Sequence, residues 1–126
     1  MKIGILEDDA DIADYLKIAL DMAGHTVHTY ADGSTFLQTF FAAQNAPPPL
    51  PYDLLIIDLT LAGTMTGQQV IEALQQNAST QQLPLIVISA TSWNTLQDIQ
   101  TRYPQVHVLQ KPFRLQVLLH LIDTSQ

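Results

Sequence analysis

Short apolar runs alternate along this chain with stretches whose apolar residues recur every three or four positions. Lys2 to Leu6 (KIGIL) predicts a buried strand that ends in acids. From Ala10 to Ala23, Ile12, Leu16, Ala19 and Ala23 recur at helical spacing, and Asp11, Asp14, Lys17 and Asp21 mark a wetter side. Asp9 suits the N-cap of that helix and Gly24 its C-terminal stop. His25 to Tyr30 (HTVHTY) has the β-branched and aromatic character of a short strand, and Asp32 to about Ala43 reads as a second helix capped near Asp32 or Ser34. Asp53 to Ile57 (DLLII) is a continuous apolar run closed by Asp58. Gly67 to about Asn77 is a third helix with Val70, Ile71 and Leu74 inward. Leu85 to Ile88 (LIVI) is a strand ending at Ser89, Asn94 to Arg102 a short helix, and Val106 to Leu109 the last strand. Phe113 to Asp123 closes the pattern as a helix, with Leu115, Leu118, Leu119 and Ile122 on its core face.

Strand and helix therefore alternate five times, which predicts an α/β fold: a single (βα)5 doubly wound parallel sheet with helices on both faces. Continuous rather than alternating apolar strands fit a sheet covered on both sides. The units account for nearly all 126 residues, read as one domain over 1–126. Ala46 to Pro51 (APPPLP) reads as a stiff surface connector, since proline lacks the amide proton and fixes φ.

Composition narrows the function classes. Twelve acids face five bases, for a formal charge of -7, and no basic stripe argues for nucleic-acid binding. Cysteine is absent, which excludes a disulfide framework and thiolate metal sites. The N-terminus reaches acids after a few apolar residues, so it lacks a signal-peptide core, and no apolar run approaches the ~20 residues needed to span a bilayer. The expectation is a cytoplasmic protein with no membrane contact. His25, His28, His107 and His120 are not spaced as a metal cluster.

Open α/β sheets place function at the C-terminal ends of the strands, where strand order reverses. Glu7, Asp8 and Asp9 follow the first strand, Asp58 the third, Ser89 the fourth and Lys111-Pro112 the fifth. In the strand order 2-1-3-4-5, Asp8 and Asp58 face each other. Two carboxylates 4 Å apart repel by about 4 kcal/mol at an effective dielectric near 20, and a cation relieves that cost. Oxygen ligands without sulfur suit Mg²⁺, which accepts phosphate oxygens as further ligands. Lys111 adds a point charge and Ser89 a hydroxyl donor for phosphate oxygens, so the set supplies the positioning and neutralisation that phosphoryl transfer needs. Taken singly, each piece is ordinary: acids are favoured at helix starts, and Lys-Pro is a common dipeptide.

In combination, the chain resembles the receiver domain of bacterial two-component response regulators, a flavodoxin-like fold, over its whole length. The resemblance implies that Asp58 is the phosphoacceptor, that Glu7 and Asp8 form the Mg²⁺ acid pair, and that the Thr60 backbone carbonyl is a further ligand. It makes Ser89 the switch hydroxyl, Lys111 the phosphate-pairing lysine and Pro112 the residue after a cis peptide, while Asp9 caps the first helix. Ala90 is small, as phosphate access requires. The implied partners are a sensor histidine kinase or phosphotransfer protein and an output partner on the face of helix 4, strand 5 and helix 5, where Trp93 lies; a homodimer stays open. The chain departs from the family at Ala62, where a proline is usual, in a loop to Gly67 one residue longer than usual, and at Val108, where a Tyr or Phe acts as a rotamer switch. Two other readings remain: a pseudo-receiver scaffold without phosphotransfer, and a haloacid-dehalogenase-like phosphohydrolase, for which the adjacent acids after the first strand and the lack of a cap domain are poor fits.

Overall fold

In the computed structural model the strands are β1 (Lys2–Leu6), β2 (Thr26–Tyr30), β3 (Leu54–Asp58), β4 (Leu85–Ser89) and β5 (His107–Gln110). The helices between and after them are α1 (Ala10–Met22), α2 (Gly33–Phe41), α3 (Gly67–Gln76), α4 (Trp93–Arg102) and α5 (Leu115–Thr124). The structure describes residues 1–41, 52–59, 65–77, 80–90 and 92–125; the connector Ala46–Pro51, Ala62 and the Thr60 carbonyl lie outside the described residues. All strands pair in parallel in the order β2-β1-β3-β4-β5, as the alternation predicts.

Every residue of β3 and β4 is buried, and their side chains divide strictly by parity. Leu54, Ile56, Ile86 and Ile88 pack with Leu16 and Leu20 of α1 and Leu118 and Ile122 of α5. Leu55, Ile57, Leu85 and Val87 pack with Phe36 of α2, Val70, Ile71 and Leu74 of α3, and Leu96 and Ile99 of α4. Two cores on opposite faces hold the central strands rigidly, each buried aliphatic side chain contributing roughly 2 kcal/mol. No helix among the described residues is long and apolar enough to cross a membrane.

The first helix differs from expectation in its buried face. Ala13, Leu16 and Leu20 are buried, Ile12 and Ala19 lie at the margin, and Ala23 is an exposed C-cap. Apolar residues spread round much of the helix, with Tyr15, Ile18 and Met22 exposed, so periodicity alone admits more than one inward face. The sheet takes the face that holds both leucines. Helix ends otherwise follow local chemistry. Asp9 Oδ1 accepts from the amides of Asp11 (3.0 Å) and Ile12 (3.3 Å), and Asp32 accepts from the Thr35 amide at 2.8 Å and the Thr35 hydroxyl at 3.0 Å. Ser92 caps α4, and α5 begins two residues later than the sequence pattern suggests, after Arg114, whose side chain makes no capping bond.

Gly24 ends α1 with φ +95°, a conformation that residues with a Cβ disfavour, yet a Cβ there meets nothing within 4 Å. The penalty for Gly24→Ala is therefore conformational alone. It should lower stability by about 1 kcal/mol, read as a shifted urea midpoint with an unchanged denaturant slope.

Candidate functional site

Strand register sets the site. Leu6 pairs with Ile57 and Asp58 with Ile88, so the residues that leave β1, β3 and β4 emerge side by side at one sheet end. Glu7 is held through both backbone and side chain. Its amide donates to the Tyr30 carbonyl (3.0 Å), its Oε1 accepts from the Asp9 amide (3.2 Å), and its Oε2 accepts from Lys111 Nζ (3.1 Å). Because Asp9 turns away to cap α1, Asp8 is left exposed between them. Asp58 ends β3 with only 2% of its surface exposed, and its Oδ2 accepts from the same Lys111 Nζ at 3.1 Å. Glu7, Asp8 and Asp58 each offer a carboxylate oxygen, all within 4.8 Å of one another.

Lys111 owes its position to backbone pairing. Its amide donates to the Ser89 carbonyl at 2.8 Å, and the Lys111-Pro112 peptide is cis. Ser89 is fully buried at the end of β4, and the small, exposed Ala90 follows it. Val108 is half-buried beside the core formed with α2, α3 and α4, in register with Val87. Trp93 is the first residue of α4 and is 47% exposed.

Glu7 and Asp58 share one ammonium, with the exposed Asp8 beside them. Burial, then its hydrogen bond with Asp58 and the Asp58 charge, push the Glu7 carboxyl up to about 7, although Lys111 and the Asp9 amide pull it down. Burial draws the Lys111 ammonium down, but Asp58 and Glu7 outweigh it and hold the group above its usual range, so it stays charged. An all-oxygen donor set with surplus negative charge fits a hard divalent cation such as Mg²⁺.

The residue that sequence reasoning underused is Gly67. A Cβ at this position would lie 2.3 Å from the Asp58 carbonyl oxygen and 2.7 Å from Leu59 Cα, so the first turn of α3 rests directly on the backbone of the buried aspartate. Thr66 and Gln69 close a reciprocal capping box around that turn. The available signal was a glycine inside a helix start, where helix propensity does not ask for one.

A family model for the response regulator receiver domain matches residues 3–123. The chain belongs to the response regulator receiver domain family. Among curated relatives, the transcriptional regulatory protein QseB of Haemophilus influenzae is 31% identical over 90 residues, covering 71% of this chain and 36% of QseB. The response regulator ArlR of Staphylococcus saprophyticus is 29% identical over 118 residues, covering 94% of this chain and 49% of ArlR. The chain thus spans about half or less of the length of these relatives. Chemotaxis protein CheY4 of Vibrio cholerae aligns with a TM-score of 0.81 at 23% identity, covering 99% of this chain and 98% of that one. TrrA of Thermotoga maritima, solved in complex with Mg(2+)-BeF, aligns with a TM-score of 0.80 at 22% identity, again covering 99% and 98%. At these identities the two structures show the fold alone. Receiver domains are signalling domains of two-component systems that bind Mg²⁺ at an acidic pocket, and response regulators partner with histidine kinases and output domains.

Two outcomes follow from this geometry. In metal-free protein, Glu7 in the folded chain keeps a proton that the unfolded chain releases near pH 4.5, and holds it to about pH 7. Stability from this group is full below pH 4.5, falls as pH rises through that window, and is lost above it. Urea titrations of wild type and Glu7→Gln should diverge across the window, and parallel curves contradict the assignment. Gly67→Ala should lower stability by roughly 2–4 kcal/mol, since backbone rather than a flexible side chain must move; a loss comparable to that of Gly24→Ala would show that α3 shifts freely.

Proposed function

We propose that Asp58 accepts a phosphoryl group from the phosphohistidine of a sensor histidine kinase or phosphotransfer protein, and that the resulting acyl phosphate changes this domain's affinity for an output partner. The observation that carries this reading is Lys111 Nζ at 3.1 Å from both the Glu7 and Asp58 carboxylates, beside the exposed Asp8. A carboxylate oxygen of Asp58 attacks phosphorus, the phosphorus–oxygen bond forms as the phosphorus–nitrogen bond breaks, and the electron pair leaves on the imidazole nitrogen, which takes up a proton. Lys111 already reaches Asp58 Oδ2 and offers a point charge to a phosphoryl oxygen. Glu7, Asp8 and Asp58 would hold Mg²⁺, with the Thr60 carbonyl as a further ligand; when bound, the ion neutralises charge on the phosphoryl oxygens. The Ser89 hydroxyl donates to another phosphoryl oxygen, and Ala90 leaves the approach open.

The switch begins at Ser89. Only Ala90, Thr91 and Ser92 separate it from Trp93 at the start of α4, so a pull on the hydroxyl reaches that helix over a short connection. Val108 is β-branched, stiff at χ1 and too short to swing as a ring does. The output partner then reads α4 and its surroundings on the face of α4, β5 and α5, with Trp93 as its exposed anchor. This is a cytoplasmic switch that acts through protein partners.

A small-molecule phosphodonor with Mg²⁺ tests the reading by intact mass. Wild type should gain one phosphoryl group, and Asp58→Asn none, because an amide forms no acyl phosphate. The variant should stay folded. Sustained turnover of the donor would indicate a phosphohydrolase, and an unlabelled wild type a scaffold.

A further inference from the structure

We infer that Tyr30 and Tyr52 act as a positioning pair for Glu7, an inference that rests on the phosphoacceptor reading of Asp58. Tyr52 precedes β3 and is buried, yet its ring runs back over β1. An added Cβ at Gly4 would lie 3.0 Å from Tyr52 Cδ2 and 3.1 Å from Cε2, so the absence of a side chain at Gly4 makes the slot in which the ring lies. From that slot the Tyr52 hydroxyl hydrogen-bonds the hydroxyl of Tyr30 at the end of β2. Tyr30 is gripped from two sides by edge-on contacts, with its ring centroid 5.2 Å from that of Phe36 and 6.3 Å from that of Tyr52.

Tyr30 also carries the carbonyl that accepts the Glu7 amide at 3.0 Å, just beyond the last residue of β1. That bond fixes the backbone of Glu7, while the Asp9 amide and Lys111 act on its carboxylate. The hydroxyl pair is thus one residue removed from a group of the acid site. Burial, then the Tyr30 hydrogen bond, holds the Tyr52 phenol well above its usual range, so Tyr52 stays protonated and uncharged. An all-apolar packing of Phe at both positions would fill the same volume without a polar group to satisfy. The hydroxyls add orientation: they fix where the end of β2, and with it the Tyr30 carbonyl, sits relative to β3.

Tyr30→Phe and Tyr52→Phe keep both rings and remove one hydroxyl each. At a temperature where all proteins are folded, each should lower Mg²⁺ affinity by calorimetry, and the rate of labelling by a small-molecule phosphodonor, by about threefold to tenfold, less than loss of a direct ligand contact would. The double variant should be no worse than either single one, because either deletion breaks the same bond. Thr80→Val serves as the stability control. It removes a buried hydroxyl bond to the Leu74 carbonyl, 2.6 Å long, at the far end of α3, and should destabilise without changing labelling. Tyrosine variants that lose stability yet bind Mg²⁺ and label as wild type does would reduce the pair to a packing role and overturn the inference. Effects that add in the double variant would overturn it too. Wild type that neither binds Mg²⁺ nor labels would instead remove the phosphoacceptor reading beneath it.

Discussion

Lys111 lies between two buried carboxylates, and the rest of the site is arranged around that contact. Its ammonium is 3.1 Å from Glu7 and 3.1 Å from Asp58, whose side chains are 1% and 3% exposed. Taking such groups out of water is expensive, and mutual attraction repays the cost only when the geometry is held. One ammonium cannot neutralise two buried anions and the exposed Asp8 beside them. Burial first, and then the neighbouring Asp58, leave a Glu7 carboxyl that binds its proton up to about pH 7. A protonated carboxyl and a bound cation are alternative answers to the same repulsion. A site of this kind takes up positive charge readily and is a poor place for an uncompensated anion.

Rigidity makes the arrangement tolerable. Strands β3 and β4 are buried along their whole length, with separate cores on the two faces. The carboxylates at the ends of β1 and β3 cannot drift apart without disturbing those cores, where packing resists small displacements. Backbone contacts continue the clamp beyond the strands: Lys111 to Ser89, Glu7 to Tyr30, and the first turn of α3 against Asp58 through Gly67. Stability from two apolar cores thus maintains a charged cluster that would not hold its shape in a looser fold. Ser89 and Ala90, at the end of β4, adjoin this rigid frame.

Local chemistry made several features legible from residues alone. The runs KIGIL, DLLII and LIVI suit strands covered on both faces, and five strand-like segments alternating with amphipathic stretches leave few topologies besides a parallel sheet. Asp9 and Gly24 announce the two ends of α1 through bonding and conformational preferences that act within a few residues. The acids, serine and lysine that terminate strands could be placed at one sheet end as soon as the strands were parallel, because parallel strands end together.

What depended on packing could not be read this way. The buried face of α1 was decided by the sheet, which takes Leu16 and Leu20 together and leaves Ile18 and Met22 outside, although all four are apolar. The value of a glycine at residue 67 appears only when the Asp58 backbone lies 2.3 Å from where its Cβ would be, and that of Gly4 only when the Tyr52 ring crosses it. Nothing in HTVHTY or PYDLL pairs Tyr30 with Tyr52, since the contact joins residues 22 apart across an intervening strand. Sequence by itself determined the order of elements and which chemistry stands at the strand ends, because periodicity and capping act over short range. Tertiary structure alone decided which carboxylate is buried, which is exposed and which shares the lysine, because desolvation and distance exist only after distant segments have packed.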